Sequence, residues 1–230
     1  MVARSISVRT ITNFSIPQSS LEIKNAKVPL GTIRKANTTL TVSGSTFDVY
    51  QCSFSKDISD DITVFINELD DYKEFSSYKK SFNFNIYYSK KKQLLFSEAT
   101  TPITKAFLKA LSKMDGVQCT YKAPALDFDS ISSHLNTTRG IRFDSNDTGV
   151  DRKAFNGHDI IDNSEAHDAI VNDDATQIIG ELDLGGDSYT IMISKSGTIV
   201  SYTTLFAYQS KEKPMLEFSI DVMKELEIIK

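Results

Sequence analysis

Residues 80–98 read KSFNFNIYYSKKKQLLFSE. Phe82, Phe84, Ile86 and Tyr88 alternate with Asn83, Asn85 and Tyr87, and Leu94 and Phe96 resume after the lysines. Successive side chains of a strand point to opposite faces, so two period-2 runs around a short polar break specify a hairpin. This hairpin constrains the fold most, because one of its faces must be buried against something. Its tip carries Lys90, Lys91 and Lys92. Tyr87 shares a face with Asn83 and Asn85, which marks it as the exposed ring.

The flanking sequence extends the β pattern. SISVRTITNFSI places Ile6, Val8, Phe14 and Ile16 as a β-face, and TTLTVSG and KVPLGTI read as short strands, the latter broken by Pro29 and Gly31. STFDVYQCSF alternates as a strand. In SKDISDDITVFINELDDY, Ile58, Ile62, Phe65, Ile66 and Leu69 recur at steps of 3 or 4, the helical period, with Asp57 as cap. TTPITKAFLKALSKMDG is a second helix, begun by Pro102 and ended by Gly116, and VQCTYKAPAL is a strand. Residues 46–126 therefore predict β-α-β-β-α-β, a ferredoxin-like order, preceded by a β-rich arm over residues 1–45. Such a topology would set Cys52 and Cys119 on adjacent strands.

The remainder predicts a short helix at DFDSISSHL, capped by Asp127 or Asp129. A polar loop with a strand near Ile141–Phe143 and another short helix follow. TQIIGELDLGGDSYTIMISKSGTIVSYTTLF is a three-stranded meander turning at GGD and SKSG, and PMLEFSIDVMKELEII is an amphipathic C-terminal helix. NIYYSKKKQLLF and TIMISKSGTIVS echo each other as hairpins turning at Ser-Lys. The expected class is α+β, antiparallel sheets with helices on one face. It divides into a subdomain over 1–126 and an acidic α+β subdomain over 127–230, a meander with flanking helices.

Charge follows that division. Residues 1–126 hold 17 Lys+Arg against 11 Asp+Glu, and residues 127–230 hold 9 against 19. Opposite charge on two halves favours association within or between copies, or anion binding by the basic half. Lysine outnumbers arginine 20 to 6, the bias of an AT-rich bacterial or phage genome. The N-terminus has no signal-like apolar run, and no window approaches the roughly 20 apolar residues of a membrane span. Two cysteines without metal or CxxC spacing suit a reducing, cytoplasmic setting.

GHDIIDNSEAHDAIVNDD, residues 157–174, gathers histidines among acids. His158, Asp162 and Glu165 have helical spacing, so with His167 they form a candidate Mg²⁺ or Zn²⁺ set. Asp162 and Glu165 equally form a capping box, with Asp162 as N-cap, which places His158 outside the helix. Acids in a first turn need no ligand to account for them. His134 is a lone histidine. Glu181, Asp183, Asp187 and Lys195 depart from the metal-nuclease pattern. Neither G-x-x-x-x-G-K-[ST] nor G-x-G-x-x-G occurs. Lys79, Lys80, Lys90, Lys91 and Lys92 beside Tyr87 are the residue types that hold phosphates and stack bases.

The leading expectation is a non-catalytic binding component of a bacterial or phage system, contacting nucleic acid through the lysine-rich hairpin, with no cofactor and no membrane. The first alternative is a subunit that binds protein or self-associates. The second is a metal-dependent nuclease or hydrolase using His158, Asp162, Glu165 and His167.

Overall fold

The computed structural model describes residues 4–229. It begins with β1 (Arg4–Ser15), β2 (Ser20–Asn25), β3 (Val28–Val42), β4 (Ser45–Ile66), β5 (Asp71–Ser89) and β6 (Leu94–Ser97). Helix α1 (Thr101–Leu111), β7 (Gln118–Lys122), α2 (Phe128–His134), β8 (Thr137–Asp144), β9 (Arg152–Asn156) and α3 (Ser164–Val171) follow. The meander β10 (Ala175–Leu184), β11 (Asp187–Ser194) and β12 (Thr198–Ser201) leads through a short 3-10 turn to α4 (Pro214–Glu225).

The strands make one antiparallel sheet in the order β2-β3-β4-β5-β6-β1-β12-β11-β10-β8-β9, with β7 also on β1. Strand makes up 52% of the described residues and helix 18%. The protein is therefore mainly β, and the α+β expectation is corrected. The ferredoxin-like order is also absent: β4 runs into β5 with no helix between them, and β7 pairs β1. Cys52 consequently lies between Ile33 and Phe84 on neighbouring strands, whereas Cys119 faces Phe14.

The helix expected over 57–72 is the outer half of β4 and the start of β5. Ile58, Ile62, Thr63, Val64 and Ile66 are β-branched and favour a strand. A bulge shifts the register between Ser59 (opposite Ser77) and Ile62 (opposite Phe75). Beyond it, Ile62, Val64 and Ile66 share one face, and Thr63 and Phe65 the other. Steps of 3 and 4 arose because both faces carry apolar residues.

Helices cover both faces of the sheet, not one. On one face α1 buries Ile103, Phe107, Leu108 and Leu111 against Tyr50, Cys52, Phe54, Phe84, Ile86 and Leu95. Phe107 meets Phe54 and Phe84 edge-on, with centroids at 5.8 and 5.2 Å. The other face packs Ile6, Val8, Phe47, Tyr87 and Phe96, together with the meander, beneath α2, α3 and α4. The predicted hairpin, α1, meander and C-terminal helix are present, and Asp127 caps α2 by accepting from the Asp129 and Ser130 amides.

One strand joins the N- and C-terminal parts of the sheet. Along one edge β1 pairs β12 through Arg4–Ser7 and then β7 from Thr10 onward; along the other it pairs β6. The Ser-Lys hairpins β5–β6 and β11–β12 thus flank β1. At the change of partner the Val8 amide donates to the Gly197 carbonyl at 2.7 Å. Arg9, fully buried there, donates through Nη1 to the carbonyls of Val8 and Ser196, both at 2.6 Å. Among the described residues its Nε and Nη2 have no hydrogen-bond partner. Burial lowers the Arg9 pKa.

Candidate interaction surface

The β4–β5 hairpin extends well past its neighbours. The β3 partnership ends at Phe54, and the β6 partnership at Ile86, followed by one hydrogen bond from the Glu98 amide to the Asn85 carbonyl. From Ser55 to Ser81 no residue is buried. Ser55–Ile66 is 12 residues, about 40 Å at roughly 3.3 Å per residue. This spur has open backbone edges on both sides.

A two-stranded hairpin alone in water is marginal and relies on cross-strand pairs. Here Ser55 and Ser81 hydroxyls bond at 2.9 Å, and the Phe65 and Tyr72 rings lie 5.0 Å apart. The tip turns through 67–70, closed by the Leu69 amide on the Ile66 carbonyl (3.0 Å), with Asp70 left-handed at φ 50. Val64, Phe65, Leu69, Tyr72 and Phe75 nevertheless stand exposed, Tyr72 by 66% and Leu69 by 58%. Ile62, Val64, Ile66 and Phe75 share one face; Phe65, Tyr72 and, nearer the root, Tyr78 share the other. Half of the exposed large hydrophobics of the described residues lie within these 12 residues, Val64 to Phe75. Such clustering marks an interaction surface.

The lysines fall into two groups. Lys79 and Lys80 sit near the root of the spur, Lys79 opposite Asp57, and Lys80 with its ammonium 5.6 Å from the Phe82 ring centre. Lys90, Lys91 and Lys92 form the β5–β6 turn, with Lys90 and Lys91 exposed and Lys92 half-buried. Ten residues of strand, about 30 Å, separate Lys80 from Lys90.

Tyr87, expected as the exposed ring, is fully buried. It does share the face of Asn83 and Asn85, but the segment entering α4 covers it, with the Lys213 ammonium 5.7 Å from its ring centre. Its hydroxyl donates to Glu98, whose other oxygen accepts from the Asn85 amide at 3.1 Å and side chain at 2.8 Å. Burial, then the Glu98 bond, pushes the Tyr87 hydroxyl pKa up. Local alternation cannot reveal a cover that arrives more than 120 residues later.

Among the described residues no group of three or more His, Cys, Asp or Glu is placed to hold a metal ion. His158 Nδ1 lies 3.0 Å from Arg139 Nη1, which belongs to a guanidinium that also grips Glu181 at 2.7 Å. Glu165 pairs with Lys153, and His167 is exposed. The N-cap of α3 is Asn163, whose Oδ1 accepts from the Ala166 amide at 3.0 Å. The cap thus sits one residue later than the Asp162 capping box predicts, and Glu165 remains in the first turn. Asp183 accepts from Asn136, Asp187 lies 3.5 Å from the Tyr189 hydroxyl, and Lys195 turns to Asp173 at 2.9 Å. His134 bonds the Ser130 carbonyl at 2.8 Å.

An open groove of about 680 Å³ is lined by Phe14, Lys35, Asp48, Tyr50, Tyr88, Lys90 and Gln118, among others. Its aromatic floor is closed: Phe14 packs on Tyr50 and Tyr88 with centroids at 5.2 and 5.1 Å, and Lys35 pairs Asp48 at 3.0 Å. No helix is long and apolar enough to cross a membrane among the described residues. Compared with known proteins, the chain matches no family model and no curated protein.

Proposed function

We propose that this protein is a non-catalytic assembly component whose projecting β4–β5 spur docks on another protein. One observation carries this reading: exposed apolar side chains concentrate on both faces of a two-stranded element that has free backbone edges and no support of its own. Docking would bury Val64, Phe65, Tyr72 and Phe75 and give the edges strand partners, the two gains of recognition by strand addition. The nucleic-acid reading draws less support, since Tyr87 offers no ring for stacking and the five lysines do not converge.

The test is site-specific photo-crosslinking in cells producing the full chain. A benzophenone amino acid replaces Tyr72 or Phe75 in turn, with Tyr202 and Phe206, exposed elsewhere, as controls. The spur positions should yield discrete protein adducts that the controls lack. Equal adducts at all four positions, or adducts to nucleic acid, would refute the reading.

A further inference from the structure

The charge asymmetry of the chain is finer than a difference between halves. From Asp60 to Glu74 the spur carries Asp60, Asp61, Glu68, Asp70, Asp71 and Glu74 against Lys73 alone, a net charge of −5. The rest of residues 1–126 then holds 16 basic and 5 acidic side chains, a surplus of +11. Part of that surplus lies on one continuous strip. Lys105 and Lys109 on α1, and Lys113 in the turn after it, recur every fourth residue and are exposed opposite the buried Phe107 and Leu111. A step of four keeps side chains on one helical face, so the strip spans about 12 Å. None of these three lysines, and none of Asp60, Asp61, Glu68, Asp70 and Glu74, has an ion-pair partner within 4.0 Å among the described residues.

Within one copy the ladder holds the spur apart from the strip, with no ion pair within 4.0 Å between them among the described residues. The spur is a continuous ladder from β4 through β5 that leaves the body, carrying its acidic tip about 40 Å from where β3 ends. A second copy is under no such restriction. Building on the docking role proposed above, we infer that the acidic, apolar spur of one copy lies across the α1 lysine strip of a second copy of this chain. Donor and acceptor surfaces differ, so a reciprocal exchange of spurs closes a two-fold pair, and a one-way contact propagates to a ring or a filament. Coulomb attraction steers and orients the contact, and the apolar side chains of the spur supply its buried area.

The experiment is sedimentation velocity of the purified full chain over a wide concentration range at low and high salt, with charge reversals. Asp60→Lys/Asp61→Lys/Glu68→Lys alters the spur; Lys105→Glu/Lys109→Glu/Lys113→Glu alters the strip. All six sites are exposed, and circular dichroism confirms folding. The full chain should self-associate, more weakly at high salt. Each triple should weaken association about 10- to 100-fold, and the two together should restore it. A chain that stays monomeric at hundreds of micromolar in low salt overturns the inference, while protein crosslinks from Tyr72 would leave the docking role standing. Association lost with the spur triple but unaffected by the strip triple also overturns it and places the acceptor elsewhere. Loss of binding to a single-stranded oligonucleotide in the strip triple, with self-association unchanged, assigns those lysines to nucleic acid and equally overturns it.

Discussion

Gly197 holds the seam at which β1 changes partner, and replacing it by alanine should be among the most damaging single-methyl additions to this protein. A Cβ there would lie 2.5 Å from the Val8 carbonyl oxygen, 2.7 Å from Arg9 Nη1 and 2.7 Å from Pro124 Cδ. Two of those neighbours are themselves fixed by hydrogen bonds at the seam, so neither can retreat freely. The residue is also left-handed at φ 78, which costs a non-glycine residue about 1–2 kcal/mol. Displacing the Val8–Gly197 amide bond and one Arg9 bond adds about 2–3 kcal/mol. The total, about 3–5 kcal/mol, is a large part of the roughly 5–15 kcal/mol that stabilises a typical domain. Gly149 is the internal control: its φ is also 78, and nothing lies within 4 Å of its Cβ site. Gly149→Ala should lose only the strain of about 1–2 kcal/mol. Urea unfolding followed by circular dichroism measures both. Equal losses would refute the steric account of the seam.

Arg9→Met should change stability by less than about 1 kcal/mol or raise it, because it removes two unpartnered buried donors along with two good bonds and keeps the length of the side chain. A loss above about 3 kcal/mol in the same assay would show that the Nη1 bonds dominate. Asn163→Ala should destabilise α3 by about 1 kcal/mol and Asp162→Ala by less than about half that, since the Asn163 side chain makes the cap. The reverse order in thermal melts would restore the Asp162 capping box. Burial raises the Cys52 thiol and pushes Cys119 up to about 12 from 9.0, and it raises the Tyr50 and Tyr87 hydroxyls as well. These folded-state values lie above the unfolded ones. Their contribution is therefore complete below about pH 9 and is lost as pH rises, by up to about 1.4 kcal/mol per unit for each fully buried group that ionises only on unfolding. Urea midpoints that stay flat between about pH 8 and pH 10 would contradict this sign.

The sequence disclosed the elements whose packing is local. The alternation around Lys90–Lys92, the Pro102 start of α1, the GGD and SKSG turns and the apolar stripe of α4 each reflect a backbone period and a turn chemistry confined to a few residues. The spur was illegible because strand patterning normally depends on one buried face, and this hairpin buries neither. With apolar residues on both faces and a bulge between Ser59 and Ile62, its spacing imitates a helix. Losing that one element also removed the ferredoxin-like order. Tyr87 failed for the opposite reason: its face looked polar, and its cover comes from Lys213–Leu216. The lysines of α1 were legible only as the outer side of an amphipathic helix. Their pairing with an acidic tip required knowing that residues 60–74 leave the body.

The most direct measurement removes the spur. Replacing residues 57–79 by an Asn-Gly turn joins Lys56 to Lys80, which already face each other in the ladder. No residue from 55 to 81 is buried, so the free energy of unfolding should stay within about 1 kcal/mol of that of the full chain. Light scattering at low salt should then find the full chain in assemblies and the shortened chain as a folded monomer. A shortened chain that associates as strongly as the full one would contradict the assignment of the spur as the element that joins one copy to another.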